Sequence, residues 1–204
     1  MPLRNAAIVC LSLLLLAGCG GDLSPLELPD LDPADAAQQA VELYDKDDNQ
    51  SLSKEELASC PGLLMSLKAY DLDSDESISE EEIKSRLKKL VEKAAALSRV
   101  TVTLKLNKKP LPGATIRFVP EPYLGEAIKS ATGKTLKRGV ASMAVADEEL
   151  PDSQKGIRGI HPGTYRVEIT HPEVEIPAKY NTNTTLGYET TPGNPYASFD
   201  LKSK

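Results

Sequence analysis

The chain has 204 residues, 40% of them hydrophobic but only 4% aromatic, and its 30 Asp and Glu against 24 Lys and Arg leave a net charge of −6. That length holds one or two modest cores and excludes a large multidomain enzyme. With no basic patch rich in aromatics, nucleic acid is not an expected partner.

Arg4 stands before an apolar run from Ala6 to Leu16 that is too short to remain as a spanning helix and is followed by small residues, the pattern of an export signal. The stretch Leu16-Ala17-Gly18-Cys19-Gly20 resembles the lipobox of bacterial lipoproteins. The resemblance implies a signal peptide over residues 1–18, cleavage before Cys19 and a diacylglycerol on its thiol. Gly20, in place of an Asp, resembles the pattern exported to an outer membrane. Acyl chains would hold the protein at the cell envelope, because each buried methylene contributes about 0.8 kcal/mol. Cys10 would leave with the signal and Cys19 would be modified, so Cys60 remains alone, is expected to pack rather than react, and no internal disulfide is expected. Residues 19–31, with Pro25 and Pro29 among small and acidic residues, then read as the lipidated Cys and a flexible tether.

A helix is predicted to begin at Asp32-Pro33-Ala34-Asp35, where Asp32 can cap free amides, Pro33 suits the first helical position and Asp35 complements the positive helix end. Beyond this helix start the chain is organised by an internal repeat. Shifting the chain by 26 residues aligns Tyr44 with Tyr70, Asp45 with Asp71, Asp47 with Asp73, Asn49 with Asp75, Leu52 with Ile78, Glu56 with Glu82 and Leu57 with Ile83.

The copies "DKDDNQSLSKEE" and "DLDSDESISEEE" resemble the twelve-residue calcium loop of the EF-hand family. A hard divalent ion takes about six to eight oxygens at roughly 2.3–2.6 Å, which a turn supplies from alternate positions before a helix brings in a bidentate Glu. The resemblance implies that Asp45, Asp47 and Asn49 give side-chain oxygens, Ser51 its carbonyl, Ser53 a water-mediated contact and Glu56 both carboxylate oxygens to Ca2+. Asp71, Asp73, Asp75, Ser77, Ser79 and Glu82 would take the same roles in the second loop, and Leu52 and Ile78 would join the loops through a short β-bridge. The sixth position departs from the pattern. Gln50 and Glu76 stand where Gly is expected, so each turn is expected to carry strain of about 1–2 kcal/mol and binding to be weak. Only Leu57 to Tyr70 separate the loops, with Pro61-Gly62 inside, so the connecting helices must be brief.

From Ser79 an amphipathic helix is predicted, with Ile83, Leu87, Leu90, Ala94 and Leu97 on one face. Near Arg99 the period turns alternating: Val100, Val102, Leu104 and Leu106, then Ala114, Ile116 and Phe118 after a turn at Asn107 to Gly113, then Val140 to Val145, Tyr165-Val167-Ile169 and Ala197-Phe199-Leu201. Pro and Gly punctuate the gaps, which fits an antiparallel sandwich of about seven strands. "KPLPGATIRFVP", "HPGTYRVEIT" and "IPAKYNTNTTLG" with "FDL" resemble the carboxypeptidase-regulatory-like, transthyretin-like β-sandwiches of secreted bacterial lipoproteins.

The expected fold class is therefore α+β multidomain, a small helical EF-hand pair over residues 32–97 followed by an antiparallel β-sandwich over 98–204. Charge divides at the same boundary, with 19 acids against 8 bases in residues 20–97 and 11 against 15 in residues 98–204. Bound cations would offset the acidic half, while the basic half can face lipid headgroups or an anionic polymer. His161 and His171, each followed by Pro, are expected to cap loops. No nucleophile sits at a telling spacing from either, so no enzyme is expected. The expected function is a lipid-anchored, calcium-binding envelope protein that presents a β-sandwich interaction module to an envelope protein or anionic polymer. The alternative is a structural or adhesive lipoprotein whose loops bind no metal. Composition does not fix the oligomeric state.

Overall fold

The computed structural model describes residues 27–93, 96–190 and 193–203. The leader, Cys19, the first part of the tether and Ala94 lie outside them.

The described residues fold as α+β: four helices and two short paired strands, then a curled sheet. Helix α1 (Pro33–Tyr44) starts as its sequence dictates, since Asp32 Oδ1 accepts from Ala34 N at 2.7 Å and from Asp35 N at 3.3 Å. Strand β1 (Ser51–Leu52), helix α2 (Lys54–Leu57), helix α3 (Pro61–Tyr70), strand β2 (Ile78–Ser79) and helix α4 (Glu80–Lys93) come next. The single turn of α2 and the Pro at the start of α3 give the brief connection that the spacing demanded. Helix α4 buries Ile83, Leu87 and Leu90 and stops before Leu97, which is half-buried outside the helix.

Eight strands form the sheet: β3 (Val100–Leu106), β4 (Lys109–Pro110), β5 (Thr115–Pro120), β6 (Ala131–Lys134), β7 (Val140–Val145), β8 (Thr164–Thr170), β9 (Gly187–Glu189) and β10 (Tyr196–Leu201). Pairing runs unbroken in the order β10-β3-β7-β6-β5-β8-β9, with β4 folded back on β3. Every pairing is antiparallel except one, because β10 lies parallel to β3, with Tyr196 opposite Thr101 and Leu201 opposite Leu106. Parallel neighbours need a long crossover. Here nearly the whole sheet lies between the two strands, so local alternation carried no sign of their direction.

Val100, Val102, Leu104, Ile116, Phe118, Val167 and Ile169 point into the core and are fully buried. That core is continuous with the helical one, for Leu52, Leu57, Leu63, Tyr70, Ile78, Ile83 and Leu87 belong to the same buried cluster. Helix α3 lies on β9 and β8, and α1 packs against α4 and against the turn Pro122–Leu124.

The closest approach is at Gly187, where an added Cβ would stand 1.9 Å from the carbonyl oxygen of Pro61. Only a residue without a side chain lets the start of α3 touch the sheet there. Glu121 joins the same place: its Oε1 accepts from Gly62 N at 2.6 Å, and the residue is 1% exposed. Arg86 on α4 reaches Glu189 on β9 with two parallel bonds, Nε to Oε1 at 3.0 Å and Nη2 to Oε2 at 2.5 Å.

Candidate metal centre

The two acidic loops lie side by side, held by the bridge that pairs Leu52 with Ile78 and Ser51 with Ser79. Leu52 and Ile78 are fully buried beneath it, and Tyr44 and Tyr70, which end the helices entering each loop, are buried as well. The apolar residue in each acidic run therefore anchors the loop to the core.

Within each loop three carboxylates converge. Asp45, Asp47 and Glu56 each place one oxygen within 4.8 Å of the others, and Asp71, Asp73 and Glu82 do the same. Two groups of acidic residues are thus arranged so that each could hold a metal ion. Asp75 stays outside this set, and its Oδ1 accepts from Ser77 N at 2.8 Å. Asn49 at the matching position accepts from Ser51 N, also at 2.8 Å. Ser53 and Ser79 turn their hydroxyls to Glu56 Oε2 and Glu82 Oε2, at 2.7 and 2.8 Å.

Backbone amides aim the acids inward. Asp45 accepts from Asn49 N and Gln50 N, and Asp71 from Ser74 N and Glu76 N, so both loops wrap around their first carboxylate. The wrapping requires left-handed backbone at four non-glycine residues: Asp48 (φ 59°), Gln50 (φ 65°), Ser74 (φ 66°) and Glu76 (φ 70°). Gln50 and Glu76 are the two positions whose lack of Gly predicted strain, and both adopt the conformation that Gly would take freely. Glu76 also pairs with Lys54 Nζ at 2.8 Å, an exposed tie from loop two to α2.

Glu56 and Glu82 have a second role. Ser53 and Glu56 form a capping box at the start of α2, in which each side chain receives the other's backbone N–H. Ser79 and Glu82 exchange the same bonds, with Glu82 Oε2 accepting from Ser79 N at 2.8 Å and Ser79 Oγ from Glu82 N at 3.4 Å. The remaining oxygens reach back across the loops, Glu56 Oε1 to Lys46 N and Glu82 Oε1 to Leu72 N, both at 2.7 Å.

These bonds hold both acids ionised. The N–H of Lys46, followed by the hydroxyl and N–H of Ser53, lowers Glu56 to about 2. For Glu82 burial pushes upward, but the donors of Ser79 and Leu72 together outweigh it and keep the carboxyl below its usual range. Each Oε2 already accepts both the N–H and the hydroxyl of its Ser, but Glu56 Oε1 and Glu82 Oε1 accept a single N–H and keep lone-pair capacity, so with the two aspartates of each loop they remain competent for a hard cation.

Outside the loops, both histidines serve their turns. His171 Nε2 lies 2.9 Å from Pro112 O, and its Nδ1 accepts from Glu173 N and Val174 N at 3.0 Å. His161 Nδ1 accepts from Lys129 N, and burial, with some help from the Lys129 charge, lowers its pKa to about 4. Cys60 is a free, buried thiol that packs in the core.

Periodicity did not reveal the polar joint formed by Glu121, Arg86 and Glu189. The only local signal was an acid in an otherwise apolar Val119-Pro120-Glu121-Pro122-Tyr123 stretch.

Comparison with protein-family models, with curated proteins and with solved structures found no match.

Proposed function

We propose that the chain is a divalent-cation-binding protein of the cell envelope, in which two EF-hand-like loops bind Ca2+ and brace a β-sandwich-like interaction module. The observation that carries this reading is the convergence of three carboxylates in each of two paired loops, at positions one, three and twelve of a twelve-residue calcium loop. An oxygen-only donor set of this kind suits Ca2+ rather than a softer transition metal. The lipobox-like stretch ending in Cys19 supports attachment to a membrane, and no sequence feature supports an enzyme.

One observation favours the alternative of an ion-free structural or adhesive lipoprotein. Glu56 and Glu82 are already used as capping-box residues, a role that demands a hydrogen-bond acceptor but no charge. Glu56→Gln separates the two, since Gln serves the box but is a poor calcium ligand. Calorimetric titration of the chain from Gly20 onward should show calcium binding that Glu56→Gln weakens and that magnesium, with its tighter shell, reproduces only feebly. Absence of heat with calcium at millimolar concentration would leave the structural reading standing.

A further inference from the structure

The end of the sheet where β3 and β6 finish and β7 begins carries a surface that the cation loops do not explain. The β6–β7 turn, Leu136 to Gly139, projects an apolar side chain between bases: Leu136 is 72% exposed, and Lys134, Lys137 and Arg138 beside it are exposed too. The β3–β4 turn at the same end adds Lys108 and Lys109, both exposed.

The two turns are knitted together. Leu104 N donates to Gly139 O at 2.7 Å, and Leu111 N donates to Leu104 O at 3.1 Å. Leu136, Lys137, Arg138 and Val140 line a shallow apolar depression at the tip. Asp200, the acid on neighbouring β10, is occupied by Lys108 N at 2.9 Å and Lys202 Nζ at 3.1 Å.

The tip is built to present Leu136. Gly139 N donates to Leu136 O at 2.7 Å, and Leu136 N to Val140 O at 2.9 Å, which closes the turn. Gly139 has φ 69°, and a Cβ there would stand 2.4 Å from Leu104 O. No other residue fits, so the hairpin is pinned against β3 with its leucine outward. A leucine that could fold back onto the sheet would escape water; this one is held in it.

We propose that this tip docks on an anionic phospholipid surface, with Leu136 entering the headgroup region and the surrounding Lys and Arg facing lipid phosphates. Charge complementarity selects an anionic partner. The apolar residue at the centre selects a bilayer over a soluble polyanion, because a polyanion offers a leucine nothing to enter, whereas the interface accepts apolar side chains flanked by bases. The helices attach through β8, β9 and the Pro122–Leu124 turn, and none of these elements carries the tip. Docking by the tip is separate from anchoring by Cys19.

The test uses the full chain carrying Cys19→Ala, so that no acyl chain contributes, and flotation with vesicles of phosphatidylcholine alone or mixed with phosphatidylglycerol. Every chain compared keeps the same residues 1–26, so differences between variants report the tip. The parent should bind the anionic vesicles more tightly and lose that preference in high salt. The pair Lys137→Glu and Arg138→Glu should weaken anionic binding by roughly thirtyfold or more. Leu136→Ser should weaken it while the melting temperature stays unchanged, and Arg158→Glu, at the opposite end of the sheet, should leave it intact. Equal binding of parent and tip variants overturns the proposal. So does a charge effect without a Leu136 effect, which would identify a polyanion surface instead.

Discussion

Gly62 N donates to Glu121 Oε1 across 2.6 Å, joining the first turn of α3 to the residue that ends β5's run into the Pro122 turn. The other oxygen, Oε2, is buried without a partner. Burial pushes this carboxyl above its usual value, and the Gly62 N–H, the Arg166 charge and the Cys60 thiol offset only part of that. A carboxyl with a raised folded pKa contributes stability below its unfolded value, and that contribution is lost as pH rises through the folded one. The contribution of Glu121 is therefore expected to fall as pH rises above the ordinary carboxylate range, against the gain from buried His161, whose lowered pKa adds stability as pH rises from about 4 toward its ordinary value. Glu121→Gln keeps an acceptor for Gly62 without a charge, so it should remove that fall and stabilise the chain relative to the parent at the alkaline end by about 1 kcal/mol or more. Denaturant midpoints at several pH values check this; parallel profiles for both proteins would refute it.

Contact at Gly187 makes a steric prediction. A methyl group there would overlap Pro61 O, and backbone on both sides limits relief. Gly187→Ala should cost about 1–3 kcal/mol or more, lowering the melting temperature by roughly 2–4 °C for each kcal/mol. Gly156→Ala serves as the comparison, because a Cβ at Gly156 meets nothing within 4 Å despite its φ of 80°. A smaller loss at Gly187 than at Gly156 would mean that α3 does not sit on β9 as described.

Arg86 and Glu189 tie the exit helix of the second loop to the edge strand, with side-chain exposures of 23% and 6%. Removing one partner of such a pair strands the other's charge and costs about 3–5 kcal/mol, whereas removing both costs less. Arg86→Met with Glu189→Gln should therefore be more stable than the sum of the single changes implies, by a coupling of about 1 kcal/mol or more. With Gly62–Glu121 and Pro61–Gly187, this pair makes helices and sheet share one core. Calcium that binds only the folded loops should then raise a single melting transition of the whole chain. Near-ultraviolet circular dichroism, which follows Tyr165 and Tyr188 of the sheet as well as Tyr44 and Tyr70, checks it. A calcium shift confined to a helical transition, with the sheet melting separately, would show that the joint does not couple them.

Much of this fold was legible where the signal is local. The Asp32 cap, the buried stripe of α4 and the alternating strands from Val100 each rest on neighbours within a few residues, and the pairing of Leu52 with Ile78 was marked by the 26-residue repeat. Strand β6 was missed because Ala131 and Gly133, its inward residues, are small: Met143 sulfur would lie 2.7 Å from a Cβ at Gly133, so a larger partner fills the space. The parallel seat of β10 and the joint at Glu121 depend on contacts far apart in sequence, which no period encodes. In the loops, residue types marked the three converging carboxylates, but Asp75 turning aside to Ser77 arises from the local backbone, not from spacing.

The last prediction ranks the two loops. Loop two has carboxylates at Asp71, Asp73, Asp75 and Glu82, whereas loop one has neutral Asn49 at the position of Asp75. Asp75 adds attraction for a divalent ion even from outside the converging set, because the field of a charge a few ångströms away persists within the Debye length of about 8 Å. Loop two should therefore be the tighter site, with Glu82→Gln weakening the tighter calorimetric event and Glu56→Gln the looser one. Left-handed backbone at Glu76 costs about 1–2 kcal/mol that Gly would not incur. Its bond to Lys54 is exposed on both sides, 47% and 76%, and an ion pair that open to solvent contributes little. Strain relief exceeds that loss, so Glu76→Gly should tighten calcium at loop two severalfold, and Gln50→Gly, which removes no charge, should do the same at loop one. If Glu76→Gly weakens binding while Gln50→Gly strengthens it, the Glu76 charge matters more than its backbone and the ranking of strain over charge fails.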